Sequence, residues 1–202
     1  MLFHVPRLQL MRLTFAVEAG LLSLAFLLGW AFGHGPLERL APSPLAALTG
    51  IVYTVPLLLV LVANSRARWG PMARLSGVVR RLVETLFGAS RLTDLALVAL
   101  LAGSCEEIFF RGLVQSILES RWNAGVAILV TSLLFALAHP LSLLYAGLAG
   151  VVSLYLGWLY LHFDSLLVPM VTHALYDFLA ILYLRRLATP PPSGLSRAAG
   201  SA

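Results

Sequence analysis

The chain has 202 residues, 59% hydrophobic and 11% charged, with a mean hydropathy of +0.89. A soluble domain carries about 25% charged residues, so this composition excludes an ordinary water-soluble globule and indicates a polytopic membrane protein built as one helical domain. The net charge is +5 and all 14 basic residues are arginine; they flank apolar runs, which argues against nucleic acid and for orientation signals facing anionic lipid.

A bilayer core takes about 20 apolar residues per helix. In chain order six runs qualify, roughly 13–33, 45–63, 92–118, 122–139, 141–162 and 165–184. Between the second and third, Ser65 to Arg91 is Arg-rich, and its Val78–Phe87 core reads as an amphipathic helix lying on the membrane surface. The 92–118 run is longer than one straight crossing requires, so it must tilt or begin outside the hydrocarbon. From Thr189 onward, Pro190-Pro191-Pro192 and Ser/Gly/Ala predict a disordered tail, leaving 1–188 as a single transmembrane domain. The first run is long enough to span and lacks a cleavage-like exit, so no cleavable signal peptide is expected. There is no internal repeat. Cys105, alone, excludes an internal disulfide and a Cys-based zinc cluster.

Arginine counting sets the expected topology. With a cytoplasmic N-terminus, Arg7, Arg12, Arg66, Arg68, Arg74, Arg80, Arg81, Arg91, Arg185, Arg186 and Arg197 lie inside. Only Arg39 and Arg121 lie outside, and Arg111 falls within the membrane. Both termini are therefore expected in the cytoplasm. Arginine used to the exclusion of lysine fits a GC-rich bacterial genome, hence an inner membrane.

Three patterns place ionisable groups inside lipid-spanning runs: Glu106-Glu107-Ile108-Phe109-Phe110-Arg111, Phe135-Ala136-Leu137-Ala138-His139, and His173-Ala174-Leu175-Tyr176-Asp177. Each such group costs several kcal/mol unless it faces a protein interior, which makes it a functional candidate. Glu107 and Arg111 are four apart and share a helix face, so they can pair. Glu106 is rotated about 100° away and has no local partner, which leaves it free as a reactive carboxylate. Read blandly, the first pattern is a structural Glu–Arg staple. Phe135 and His139 also share a face. His139 alone is read most simply as a helix-end histidine ahead of Pro140, and Phe135 as a packing residue shaping a pocket. On the sixth run Asp177 can accept a proton from one nitrogen of His173 and so orient the other; alternatively both ligate a metal. Glu18 reads as interhelical packing or cavity lining.

Glu-Glu-x-x-x-Arg, Phe-x-x-x-His and His-x-x-x-Asn/Asp, in that order on successive membrane helices, resemble the CPBP family of CAAX-processing and bacteriocin-processing intramembrane proteases, also called Abi proteins. The resemblance covers Ser104 to Leu184, and its specificity lies in the ordered set. It implies an all-α membrane bundle of about six transmembrane helices around a conical, water-accessible catalytic cavity. It implies endopeptidase activity of glutamate type, with Glu106 and His139 activating water and His173 with Asp177 stabilising the oxyanion or orienting substrate. The family commonly has Asn at the position of Asp177; an ionised carboxylate there would repel an oxyanion, unless it acts protonated or through His173. The family was long described as metal-dependent, and Glu106, His139, His173 and Asp177 are chemically suited to Zn²⁺. There is, however, no His-Glu-x-x-His helix, and the metal-free mechanism is preferred. The expected partners are the lipid bilayer and a membrane-associated peptide or protein tail. The rival from another class is a non-proteolytic carrier, or an immunity or scaffold protein, on the same fold. Carriers often show repeated halves, and none is visible here.

Overall fold

The structure, a computed structural model, describes residues 5–188. The expected tail, 189–202, lies outside the described residues. The described chain is all helical: α1 (Arg7–Phe32), α2 (Pro44–Ser65), α3 (Gly70–Phe87), α4 (Leu92–Glu107), a π-helical segment (Ile108–Gln115), α5 (Ser116–Arg121), α6 (Ala124–Leu137), α7 (Leu143–Phe163) and α8 (Leu167–Ala188). Side-chain caps set several starts. Ser43, Asn123 and Ser142 accept the backbone N–H groups of Ala46, Val126 and Tyr145, opening α2, α6 and α7. α1 stops at Gly33, whose φ of 69° is the left-handed conformation glycine tolerates.

Each of the six apolar runs becomes a helix, but they are unequal. α1, α2, α7 and α8 are long and apolar enough to cross a bilayer. A fifth crossing arises if α3 and the helix Leu92–Arg121, which meet at 113°, are taken together as one bent span. The fourth run, 122–139, gives only α6, of 14 residues; at 1.5 Å per residue it extends about 21 Å, short of the roughly 30 Å hydrocarbon core. Its end is dictated locally, since Pro140 cannot continue a helix and Ser142 caps the next.

α8 is the central element, packed on α2, α3, α4 and α7, while α6 and α7 form an antiparallel hairpin and α1 lies along α4 and the π segment. Small residues set these distances. A Cβ on Gly103 would come within 2.5 Å of the Ala174 backbone nitrogen, so α4 and α8 meet backbone to backbone. Gly50 packs equally closely on Val168 and Val171, and Gly112 on the Pro36 carbonyl. Apolar clusters around Ala25, Ile108, Leu113, Tyr160 and Leu166, and around Leu156, Leu159 and Val168, fill the interior. Leu13, Val17 and Leu27 of α1 and Ile51, Val55 and Leu59 of α2 point outward. Apolar surface on that scale requires lipid.

The polar contacts divide between two ends. At one end Arg7 pairs with Asp94, Arg80 donates to the Ser65 carbonyl at 2.6 Å, and Arg185 donates to the Ser90 carbonyl at 3.1 Å. At the other, Arg39 pairs with Glu119 at 2.9 Å and Asp164 at 3.2 Å.

Candidate active site

The close approach at Gly103 and Ala174 fixes what lies one turn further along α4. Glu107, with none of its side chain exposed, accepts from Arg111 Nη1 at 2.9 Å and from His173 Nδ1 at 2.8 Å, both on its Oε1. Its Oε2 is buried without a hydrogen-bond partner. Arg111 is also fully buried and reaches across to α7, where its Nη2 donates to the Ser153 carbonyl and hydroxyl, each at 2.8 Å. One guanidinium thus ties α4, the π segment and α7 together, and Glu107 extends the tie to α8. In a bilayer-spanning bundle such bonds satisfy groups that lipid cannot.

The π segment begins directly after the carboxylate pair. Wider π turns occur mostly at functional sites, where they shift side chains relative to an α-helical register. Here Ser116 returns its hydroxyl to the Arg111 carbonyl, five residues back, at 3.1 Å and shares a 2.7 Å hydrogen bond with Tyr160. Further along the same face Gln115 donates to the Gly157 carbonyl at 3.1 Å. A second tie to α7 thus lies one turn beyond Arg111.

Glu106 is half-buried, and its Oε2 is enclosed with no hydrogen-bond partner among the described residues. The charges of His173, Asp177, Glu18 and Glu107 act on it. The two adjacent carboxylates therefore have different surroundings: Glu107 is bonded to a guanidinium and an imidazole, and Glu106 is held by neither.

His173 stands between two carboxylates. Its Nδ1 donates to Glu107, and its Nε2 faces Asp177 Oδ2 at 3.5 Å. At that separation, longer than an ordinary hydrogen bond, the contact is electrostatic.

His139 follows the last turn of short α6. Its Nδ1 bonds the Phe135 carbonyl at 2.8 Å. A carbonyl only accepts, so Nδ1 carries the hydrogen and the neutral ring keeps its lone pair on Nε2. Phe135 joins the motifs physically. It stacks on His139 (4.4 Å between ring centres, 21°) and meets His173 edge-on at 6.1 Å. It packs on Phe110 at 4.9 Å and lies 5.2 Å from the Arg111 guanidinium carbon.

Three features were not evident from the chain alone: the Glu107–His173 bond, the π segment, and Ser153 as the anchor of Arg111; Glu18, read from the chain as interhelical packing or cavity lining, is a neighbour of the site. Glu18 is only 7% exposed, has an unbonded Oε2, and interacts electrostatically with His173 and Asp177. The signal available for Ser153 was its spacing from Gly157, a small residue one turn on, which marks a close-packed helix face. Among the described residues no group of three or more His, Cys, Asp or Glu side chains is placed to hold a metal ion. As placed, Glu106, His139, His173 and Asp177 are not gathered into such a group.

Residues 88–179 match the family model described as type II CAAX prenyl endopeptidase, Rce1-like, and this segment contains all three patterns. No curated protein and no solved structure matches the chain significantly. The helices long and apolar enough to cross a bilayer make this chain a multi-pass membrane protein, and over residues 88–179 it is similar to the Rce1-like type II CAAX prenyl endopeptidases.

Proposed function

We propose that the protein is an intramembrane endopeptidase of glutamate type, in which Glu106 and His139 activate a water that attacks a peptide carbonyl. The observation that carries this reading is the contrast between two neighbouring carboxylates. Glu107 is tied into the scaffold through its Oε1, which accepts from both Arg111 and His173, whereas Glu106 has no hydrogen-bond partner among the described residues. A general base needs a free lone pair within reach of its proton. Glu106 has one, and so does His139 at Nε2. These two groups take the proton from water as its oxygen bonds to the carbonyl carbon, and return it to the leaving amine when the C–N bond breaks. His173, oriented by Glu107 and Asp177, positions the substrate carbonyl. No step requires a metal.

The substrate is a membrane-associated peptide or a protein C-terminal tail. Short α6 supports this, because a helix that ends inside the bilayer thickness gives a substrate access from the side where α6 stops. The arginine distribution supports an inner-membrane protein with both termini, and that opening, in the cytoplasm. The test is a cleavage assay on detergent-purified protein, with synthetic apolar tail peptides and mass spectrometry of new termini. New termini that disappear with Glu106→Gln support the reading.

A further inference from the structure

Attack on a peptide carbonyl puts negative charge on its oxygen, and catalysis requires donors aimed at that charge. Around this site most protic groups are already committed. Arg111 gives Nη1 to Glu107 and Nη2 to Ser153 beneath Phe135, and its remaining unpartnered Nε is fully buried. His173 donates Nδ1 to Glu107 and turns Nε2 to Asp177. His139 donates Nδ1 to a backbone carbonyl. Ionised Glu106 and Asp177 offer only acceptors.

Two phenols, Tyr145 and Tyr176, make no hydrogen bond among the described residues, and Tyr145 is the one whose ring lies against His139. Tyr145 occupies the first turn of α7, where its backbone N–H donates to the capping Ser142 hydroxyl at 3.1 Å. Its ring centre is 6.5 Å from that of His139, inclined at 48°. Its hydroxyl interacts electrostatically with both Glu106 and Asp177. Among the described residues no hydrogen bond is made by that hydroxyl, and the side chain is half-buried rather than sealed. Tyr176 of α8 interacts with Asp177 and Tyr145, and the ring contact with His139 is made by Tyr145.

We propose that Tyr145 is a further catalytic residue, whose phenolic O–H donates the hydrogen bond that stabilises the oxyanion beside Glu106 and His139. The assignment rests on the endopeptidase reading of the same site. A phenol is neutral and keeps its proton at neutral pH, so it supplies what a carboxylate at position 177 does not. The step balances without a further reagent. The water oxygen bonds to carbon and its proton passes to Glu106. The carbonyl π pair moves onto oxygen and is held by the Tyr145 O–H. Collapse restores the carbonyl, breaks C–N and sends the proton to the amine.

The experiment uses the full chain in detergent micelles with a synthetic set of apolar tail peptides, with and without a farnesylated CAAX end. Wild type, Tyr145→Phe, Tyr176→Phe and Glu106→Gln are compared for kcat and KM, with thermal unfolding as the folding control. Loss of one oxyanion donor lowers kcat by about 10²- to 10³-fold. Tyr145→Phe should therefore lose about 10²-fold in kcat with KM little changed, and Tyr176→Phe should stay close to wild type. Wild-type kcat in folded Tyr145→Phe, or a change confined to KM, overturns the role of Tyr145 and leaves the endopeptidase reading standing. Folded wild type that cleaves none of the peptides overturns that reading, and this role with it.

Discussion

His173 donates from Nδ1 to Glu107 Oε1 at 2.8 Å, joining the first and third motifs across the α4–α8 contact. The same oxygen accepts from Arg111, so one carboxylate orients both a guanidinium and an imidazole. This makes Glu107 the organiser of the cluster, beside the proposed base Glu106.

Glu107→Gln should therefore act on stability and on activity together. Breaking a buried pair by removing one charge costs about 3–5 kcal/mol, because the partner is left uncompensated. The expected result is a clearly lowered unfolding temperature in detergent with reduced turnover. Glu106→Gln should leave the unfolding temperature nearly unchanged.

Gly103→Ala tests whether the helix contact sets the site. The added methyl would meet the Ala174 backbone at 2.5 Å, and backbone cannot swing away as a flexible side chain can. Overpacking costs about 1–3 kcal/mol, and separating α4 from α8 lengthens the Glu107–His173 bond. Turnover should fall although no polar group has been touched. An active, equally stable Gly103→Ala protein would show that the contact has slack.

Asp177→Asn should be tolerated. An amide at this position keeps an acceptor oxygen facing His173 Nε2 and offers a neutral donor to an oxyanion. Cleavage by the variant should persist with or without a chelator. Loss of activity that added Zn²⁺ restores would instead identify Asp177 as a metal ligand.

Topology is open to a simple check. Arg7, Arg80 and Arg185 make their contacts at one end of the bundle and Arg39 at the other, in keeping with the eleven-to-two distribution of arginines in the sequence. A reporter fused after Arg186 should read as cytoplasmic. A periplasmic signal would invert the bundle.

How much of this can be read in the chain depends on the range of the interaction. The Glu107–Arg111 pair is visible in the spacing, because positions four apart on one helix must be neighbours. The Glu107–His173 bond is not, because 66 residues separate the partners and only the packing of Gly103 on Ala174 brings them together. Counting apolar residues finds all six hydrophobic segments, yet overstates α6: the run continues to His139 while the helix ends at Leu137, where Pro140 and the Ser142 cap intervene. In the fold Phe135 contacts both rings, stacked on His139 and edge-on to His173. The π segment has no counterpart in apolar periodicity, since its residues read as an ordinary helix until their backbone bonds are seen.

The most direct measurement is the turnover of purified Glu106→Gln on a peptide that wild type cleaves. General acid–base catalysis contributes about 10²- to 10⁴-fold. The folded variant should therefore lose at least about 10²-fold in kcat while keeping the unfolding temperature of wild type. Undiminished cleavage by folded Glu106→Gln would contradict the assignment of Glu106 as the base that activates water.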